Sequence, residues 1–556
     1  MKSETKNCKK CQKDFTLEPD DLGFYEKMKV PVPKVCPPCR FKMRAMFRNE
    51  MTLYSGRKCD LCGKAIISMY NPKSPYIIYC PDCFYSEKWE PRDYAKEYDF
   101  KRPFLDQMKE FLISVPKISL FINFSDGKNV NSDYANMAGG LKNCYLVFNT
   151  SPAEDLMYSR GVRHGKDSLD IYFGTSFERC YECVNVQESA QILYGKNITG
   201  GVDCAFVLNC RGLTNCFGCV NLNNKSHYFL NKPMEPKEYT KKVSEILGSH
   251  QKTEEFKKEF KKFAMSFPVR ENNNIKNVNS TGDYLFECKN VQNSFEAAGA
   301  EDSKYLFSSK AVKDSLGTIG YGTQSERLLE VVATGYSSNI VGTYAADNCR
   351  DILYGFYVKN CQECVACDGL KNKKYSIFNK GYIKEEYEKI REHIVNELKE
   401  KDLYGLIMPV ELAPFAYNET VAQENFPLTR NEALAAGFRW EDDIQKTEGR
   451  ETIAVRDIPD HIKDVSDSIT SEVLKCVDCD RNYKIINPEL IFYRKMNIPI
   501  PRKCFYCRHQ DRILRRGPYK FWDRNCAKCQ KVITTNYAPD RPEIVYCEKC
   551  YQQEVY

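Results

Sequence analysis

Sixteen of the chain's 28 cysteines fall into eight Cys-x2-Cys knuckles, and the knuckles pair off by spacing. Cys8/Cys11 and Cys36/Cys39 are separated by 24 residues, and Cys59/Cys62 and Cys80/Cys83 by 17. The same two intervals return in Cys476/Cys479 with Cys504/Cys507, and in Cys526/Cys529 with Cys547/Cys550. Two knuckles at such a separation can set four thiolates tetrahedrally around one Zn²⁺, whose binding energy stands in for a core too small to fold alone. Because all four ligands are protein thiolates, no coordination position is left for water or substrate. Four structural zinc ions are therefore expected, and no catalytic one.

A second chemistry follows the knuckles. Arg40, Lys42, Arg44 and Arg48 come after the first pair, and Arg508, Arg512, Arg515, Arg516, Lys520 and Trp522 after the third. Phosphate contacts need such charge and base stacking needs such aromatics, so nucleic acid is the expected partner of these stretches, slightly ahead of another protein. The competing reading is a solvated cationic face. Enzymatic signatures are weaker. The six histidines are scattered, and no phosphate loop, dinucleotide fingerprint, HExxH or GxSxG elbow is present. Asp167, Asp170, Asp302 and Asp347 are the carboxylates that a groove acting on a polysaccharide-like substrate would use. No catalytic residue is assigned, and whether the chain is an enzyme is left open, with a non-enzyme ahead.

The elements that must position these residues come from a repeat. From Cys144, tetrapeptides at a twelve-residue step read CYLV, LMYS, SLDI, CYEC, ILYG, CAFV, CFGC and YFLN. Their second and fourth positions are nearly all apolar or small, and residues two apart share one face of a strand. Asn, Asp, Gly and Ser between units turn the chain. Short strands on a fixed step, none able to bury its apolar face alone, predict a β-solenoid with two steps per coil. The series recurs 148 residues on, with Cys216–Cys219 matching Cys364–Cys367 and KNVNS at 128–132 matching KNVNS at 276–280. Each copy ends in a charged stretch of helical periodicity (Tyr239, Val243, Ile246; Tyr387, Ile390, Ile394), expected to close its module by covering an edge strand. The twelve cysteines within the repeats are expected to be buried, metal-free thiols.

The predicted fold class is mainly β: tandem solenoid modules flanked by paired zinc ribbons. The expected order is two ribbons over 1–90, a helical linker over 91–118, module 1 over 119–266, module 2 over 267–403, a linker with short helices over 404–475, and two ribbons over 476–556. In that linker Thr429 and Glu432 form a predicted capping box ahead of a stop at Gly437. No apolar run is long enough to span a membrane. The N-terminal MKSETKNCKKCQKDF lacks an apolar core for export. With so many cysteines this predicts thiols in a reducing, cytoplasmic setting. The net charge of +7 permits an anionic partner without demanding one.

The first ribbon of each pair carries a common pattern: a knuckle, Phe24-Tyr25 or Phe492-Tyr493, a proline, then a knuckle ending in Arg40 or Arg508. This resembles the family called probable zinc-ribbon domain. Tyr483 replaces the family's phenylalanine, found here as Phe15. The layout also resembles uncharacterised bacterial proteins that join such ribbons to a Cys- and Asn-rich repeat closed by an FNK…EEY segment, here Phe378-Asn379-Lys380 and Glu385-Glu386-Tyr387. The resemblance implies an architecture and zinc, and no activity. The resulting expectation is a zinc-stabilised binding or scaffold protein. A protein–protein or self-associating element, using the ribbons, and a solenoid enzyme are the alternatives.

Overall fold

A computed structural model of the protein describes residues 2–122 and 127–555. Strand outweighs helix, 34% against 25%, and the cysteine clusters stand toward both ends of the chain. No helix among the described residues is long and apolar enough to cross a membrane. Residues 123–126 of the expected first module lie outside the described residues.

The repeats form two separate sheets of parallel ladders. In the first, Leu169 pairs with Tyr181, Ile171 with Cys183, Cys204 with Cys216 and Cys216 with Tyr228. The hydrogen-bonded partner of a residue is thus the residue twelve further on. Each twelve-residue step is a complete circuit, which corrects the expected two steps per coil. In the second sheet the step widens once to thirteen, where Val312 pairs with Ser325 and Leu316 with Leu329.

The backbone explains how so short a circuit closes. In the first sheet, nearly every third residue is left-handed: Asn143, Leu146 and Asn149, then Glu182, Asn185 and Glu188, have φ between 46° and 55°. A left-handed residue turns the strand, so the 26-residue strand Ala153–Glu178 rounds corners instead of running straight. Asn and Asp tolerate this conformation best, which accounts for their abundance. At the corners they stack: Asn185 Nδ2 donates to Asn197 Oδ1 at 3.0 Å, and Asn197 to Asn209 at 2.9 Å. Corner turning also lets one strand pair on different sides with different partners. In the second sheet Glu301–Lys310, Val312–Lys313, Ser325–Gly335 and Leu316–Tyr321 close into a ring of four.

A corner every three residues imposes a three-residue core. All members of the first core cluster, from Ala135 to Cys219, fall at multiples of three. The remaining multiples in that stretch are Gly, Ser or Thr. The expectation that second and fourth repeat positions share a face is therefore corrected. Between Tyr181 and Cys183, Glu182 is left-handed (φ 52°), so Cys183 points into the core while Tyr181 is buried from outside against Tyr493. The interior is narrow and suits small side chains. All twelve repeat cysteines belong to the two core clusters. Their thiols donate to carbonyls, as Cys183 Sγ does to Tyr181 O and Ile192 O, both at 3.4 Å. Serine does the same work: Ser168 Oγ donates to Lys166 O at 2.7 Å and accepts from Cys180 N at 2.9 Å.

Helices α1 (Pro19–Lys27) and α2 (Pro37–Ala45) belong to the first ribbon. The charged stretch after the first ladder makes two helices, α3 (Pro236–Leu247) and α4 (His250–Ala264), with Ser249 Oγ capping α4 at Lys252 N. The second ladder is followed by α5 (Lys384–Glu400). Helices α3 and α5 contact the last parallel strands of their ladders, with Tyr239 against His227 and Tyr387 against Tyr375. The edges of those strands, which the helices were expected to cover, are instead paired by the short antiparallel strands Lys232–Pro233 and Lys380–Gly381. The box at Thr429 forms as predicted. Helices α6 (Asn487–Lys495) and α7 (Phe505–Arg516) belong to the third ribbon.

The chain divides into two compact units, each assembled from distant segments. Unit 1 joins residues 1–119 to 272–444, and unit 2 joins 120–271 to 445–556. The N-terminal ribbon pair is thus grouped with the second ladder, and the C-terminal pair with the first.

Candidate metal centres and the arginine helices beside them

Each of the four expected cysteine sets converges. Within each, the four Sγ atoms lie within 4.8 Å of one another, and all 28 cysteines are free thiols. The local fold explains the convergence. After each first knuckle comes a left-handed residue (Gln12, Gly63, Asp480 or Gln530), and its N–H returns to the carbonyl of the first cysteine. That tight turn aims both thiols the same way. The second knuckle opens a helix with its leading cysteine at the N-cap and, at Cys36 and Cys80, proline next. Backbone N–H groups point at the sulfurs: Cys36 N lies 3.2 Å from Cys8 Sγ, Cys80 N 3.2 Å from Cys59 Sγ, and Cys547 N 3.3 Å from Cys526 Sγ. Hydrogen bonding from Cys39 holds the Cys36 thiol down at about 5. Four thiols, one already inclined to ionise and aided by N–H donors, fit a tetrahedral metal ion.

The basic stretches lie elsewhere than expected. On α2, Cys39 is followed by Arg40 and Arg44 at helical spacing. On α7, Cys507 is followed by Arg508, Arg512 and Arg516. In unit 1, Arg40 Nη1 lies 2.7 Å from Glu330 Oε1, Arg44 pairs with the other oxygen, and all three side chains are 1% exposed. In unit 2, Arg508 Nε lies 2.8 Å from Asp170 Oδ2 and Arg512 Nη1 2.7 Å from Asp170 Oδ1. The offset of 468 residues that relates the ribbons carries Arg40 onto Arg508 and Arg44 onto Arg512. The same clamp is therefore built twice. Tyrosines complete it: Tyr25 hydroxyl accepts from Arg40 at 3.0 Å, and Tyr172 hydroxyl accepts from Arg516 at 2.8 Å. Burial pushes Tyr25 up to about 12 and pulls Arg512 below its ordinary value even beside Asp170.

Six of the residues expected to meet nucleic acid are thus buried: Arg40, Arg44, Arg48, Arg508, Arg512 and Arg516. Arg48 pairs with Glu50. These guanidinium groups are consumed by carboxylates and tyrosines of the same unit and offer nothing to a phosphate. Of the remainder, Lys42 is half-buried over the Phe426 ring, Arg515 donates to Glu182 O at 2.8 Å, and Lys520 is exposed 4.8 Å over the half-buried Trp522. The groove carboxylates do not converge either. Asp170 is inside the clamp, Asp167 pairs with Lys495, Asp302 accepts from Asn290 at 2.8 Å, and Asp347 lies 3.2 Å from Lys359. Sequence reasoning missed Glu330 altogether. Its signal was a single acid at the left-handed corner of LLEV, as Asp170 is in SLDI (φ 54° and 59°).

No family model and no curated protein matches the chain, so the resemblance to zinc-ribbon proteins rests on the motif residues. Among solved structures, a "putative acetyltransferase" from Desulfovibrio desulfuricans G20 is 9% identical, with a TM-score of 0.10, over 44% of this chain. The match spans 64% of that chain's length. A likeness so slight carries no argument.

Proposed function

We propose that the chain is a zinc-held binding scaffold. In this reading the two ladder regions are β-solenoid modules, the four thiol sets hold Zn²⁺, and each ribbon pair is an internal fastener that covers the outer apolar face of one module. The observation that carries it is the doubled clamp: the helix that supplies a metal ligand also supplies two buried arginines to one carboxylate of the ladder. Binding a metal at Cys39 or Cys507 orients the very helix whose arginines must reach Glu330 or Asp170. A ribbon used this way reads no nucleic acid with those arginines. What it supports is a long ordered surface suited to holding a partner, in the reducing cytoplasm that free thiols favour.

The test is elemental analysis joined to a binding assay. About four zinc ions per chain are expected from the tetrathiolate rule, together with no salt-dependent retention on RNA or DNA. A zinc content near zero in reduced protein would remove the metal from the reading. Retention abolished by Lys520→Glu with Trp522→Ala would replace the fastener with a nucleic-acid grip.

A further inference from the structure

Unit 2 contains a cavity of about 1030 Å³, at the upper end of roughly 300–1,000 Å³ for small-molecule sites. Its walls are the first ladder (Tyr181, Lys196), helix α4 (Lys257, Phe260), residues 455–460 of the linker, and α7 (Leu514, Arg515). The duplication supplies a control. The residue corresponding to Leu514 in the first ribbon is Met46, which is 1% exposed, whereas Leu514 is 65% exposed. In unit 1 the chain beyond α5 returns to this helix: residues Val421–Asn425 pack on α2, and Val421 N donates to Arg48 O at 3.0 Å. At the matching place in unit 2 an apolar side chain faces open space.

The charge around that space is unbalanced. Setting aside Arg508 and Arg516, which are engaged by Asp170 and Tyr172, eight Lys and Arg line the cavity against five Asp and Glu. At one wall, Lys257 Nζ lies 3.3 Å from Glu182 Oε2, Arg515 Nη2 donates to Glu182 O at 2.8 Å, and Lys196 Nζ donates to Arg515 O at 2.6 Å. Lys257 thus serves two carboxylates, Glu182 and Glu254 (2.8 Å), while Arg515 and Lys196 are positioned beside it by backbone carbonyls. A cleft lined with an excess of positive charge focuses its field on whatever enters. Beside it, Leu514, Phe260 and Met265 offer apolar surface that water covers poorly. From this we propose that the cavity is a ligand site for an anionic amphiphile, a small molecule with one acidic head and an apolar body. The head is set among Lys196, Lys257 and Arg515, and the body along Leu514 and Phe260. The site rests on reading the chain as a binding protein and names what it holds.

The test is calorimetric titration of the full zinc-loaded chain with dodecyl phosphate below its micelle concentration. Dodecyltrimethylammonium and inorganic phosphate are titrated in parallel. One saturable site for dodecyl phosphate is expected, with the cationic analogue and bare phosphate each at least about tenfold weaker. Arg515→Glu, which reverses the head-group charge, and Leu514→Trp, which fills the body's place, should each weaken binding by about tenfold or more. Lys237→Glu on the exposed face of α3 should not. Equal affinity for both head groups, no effect of either cavity variant, or no saturable heat up to about 1 mM would overturn the assignment. If Arg515→Glu fails to fold, the exposed Leu514 site decides alone. Zinc is counted on the same samples. A full zinc complement without binding sinks the cavity site only, whereas a zinc deficit sinks the scaffold reading.

Discussion

Replacing Asp170 by asparagine keeps the shape of the clamp and removes its charge. The carboxylate is fully buried and serves two guanidinium groups, Arg508 at 2.8 Å and Arg512 at 2.7 Å, themselves 4% and 0% exposed. Asparagine can accept from one arginine, but its amide must then face the other, donor against donor. The carboxylate left beside Arg508 is Glu489, 3.8 Å from its Nη2. Breaking a buried pair by removing one partner costs about 3–5 kcal/mol, because the charge left behind is uncompensated. Domains are stable by only about 5–15 kcal/mol. At about 2–4 °C per kcal/mol for a domain of 150–250 residues, the lower cost alone moves the midpoint of unit 2 by about 6–12 °C. The sequence offers a clean reporter: of the three tryptophans, Trp522 alone belongs to unit 2. In a Trp89→Phe, Trp440→Phe background, urea or heat unfolding followed by Trp522 fluorescence reads that unit. A loss below about 1 kcal/mol would refute the clamp, since a pair that cheap to break is one that solvent screens. The triple change Asp170→Leu, Arg508→Met, Arg512→Met separates charge from packing. Made together with Glu489→Gln, because Glu489 loses Arg508, this change should recover most of the loss, to within about 2 kcal/mol of the starting protein.

The metal sets and the core thiols should separate by substitution. Cys36→Ser is expected to lower the zinc count by one, whereas Cys364→Ser, inside the second core, should leave it unchanged on elemental analysis. Cys361→Ser should cost under about 1 kcal/mol in urea unfolding, because a hydroxyl can repeat the thiol's bonds to Lys359 O and Leu370 O; Cys361→Leu should overpack the interior by about 1–3 kcal/mol. Gly174→Ala would put a Cβ 2.7 Å from Val186 O, backbone that cannot give way, and should destabilise unit 2 by a similar 1–3 kcal/mol or so. Glu182 supplies a pH test. Burial pushes its carboxyl up, but Lys257, Arg515 and Arg512 outweigh burial and hold it at about 2. A depressed carboxyl contributes stability that is present above the unfolded value near 4.5 and lost as pH falls toward 2. The penalty of Glu182→Gln should therefore reach up to about 3 kcal/mol at neutral pH and fade between pH 4.5 and 2 in acid unfolding curves.

The metal sets were legible because the constraint is local and chemical: a knuckle's spacing is the geometry of two thiols on one ion. The twelve-residue step and the tandem copies were legible for a related reason, since stacking forces equivalent residues into register. What the letters hid is the conformation at the corners. Tyr181 and Cys183 look like one face of a strand until Glu182 between them is known to be left-handed, and glutamate advertises no such preference. Once the corner is granted, the rest follows. Cys183 belongs to a three-residue lattice whose interior admits Cys, Val, Ile, Ser and Gly, and the wealth of repeat cysteines becomes a packing choice that needs no metal.

The arginines were misread because a positive charge in a sequence does not say what neutralises it. Arg508 and Asp170 are 338 positions apart, and no local pattern links them. The duplication, however, held the clue. Had the basic stretches served an external anion, nothing would require the intervals after Cys39 and Cys507 to agree at Arg40/Arg508 and Arg44/Arg512. A buried carboxylate does require it, because a guanidinium displaced by one helical position points about 100° away, and the ion pair is lost. Agreement of that kind in a charged stretch argues for an internal counter-ion before an external one. Among the positions where the two copies part, Met46 against Leu514 and Phe47 against Arg515 are the places to look for a ligand, because Leu514 and Arg515 line the cavity of unit 2.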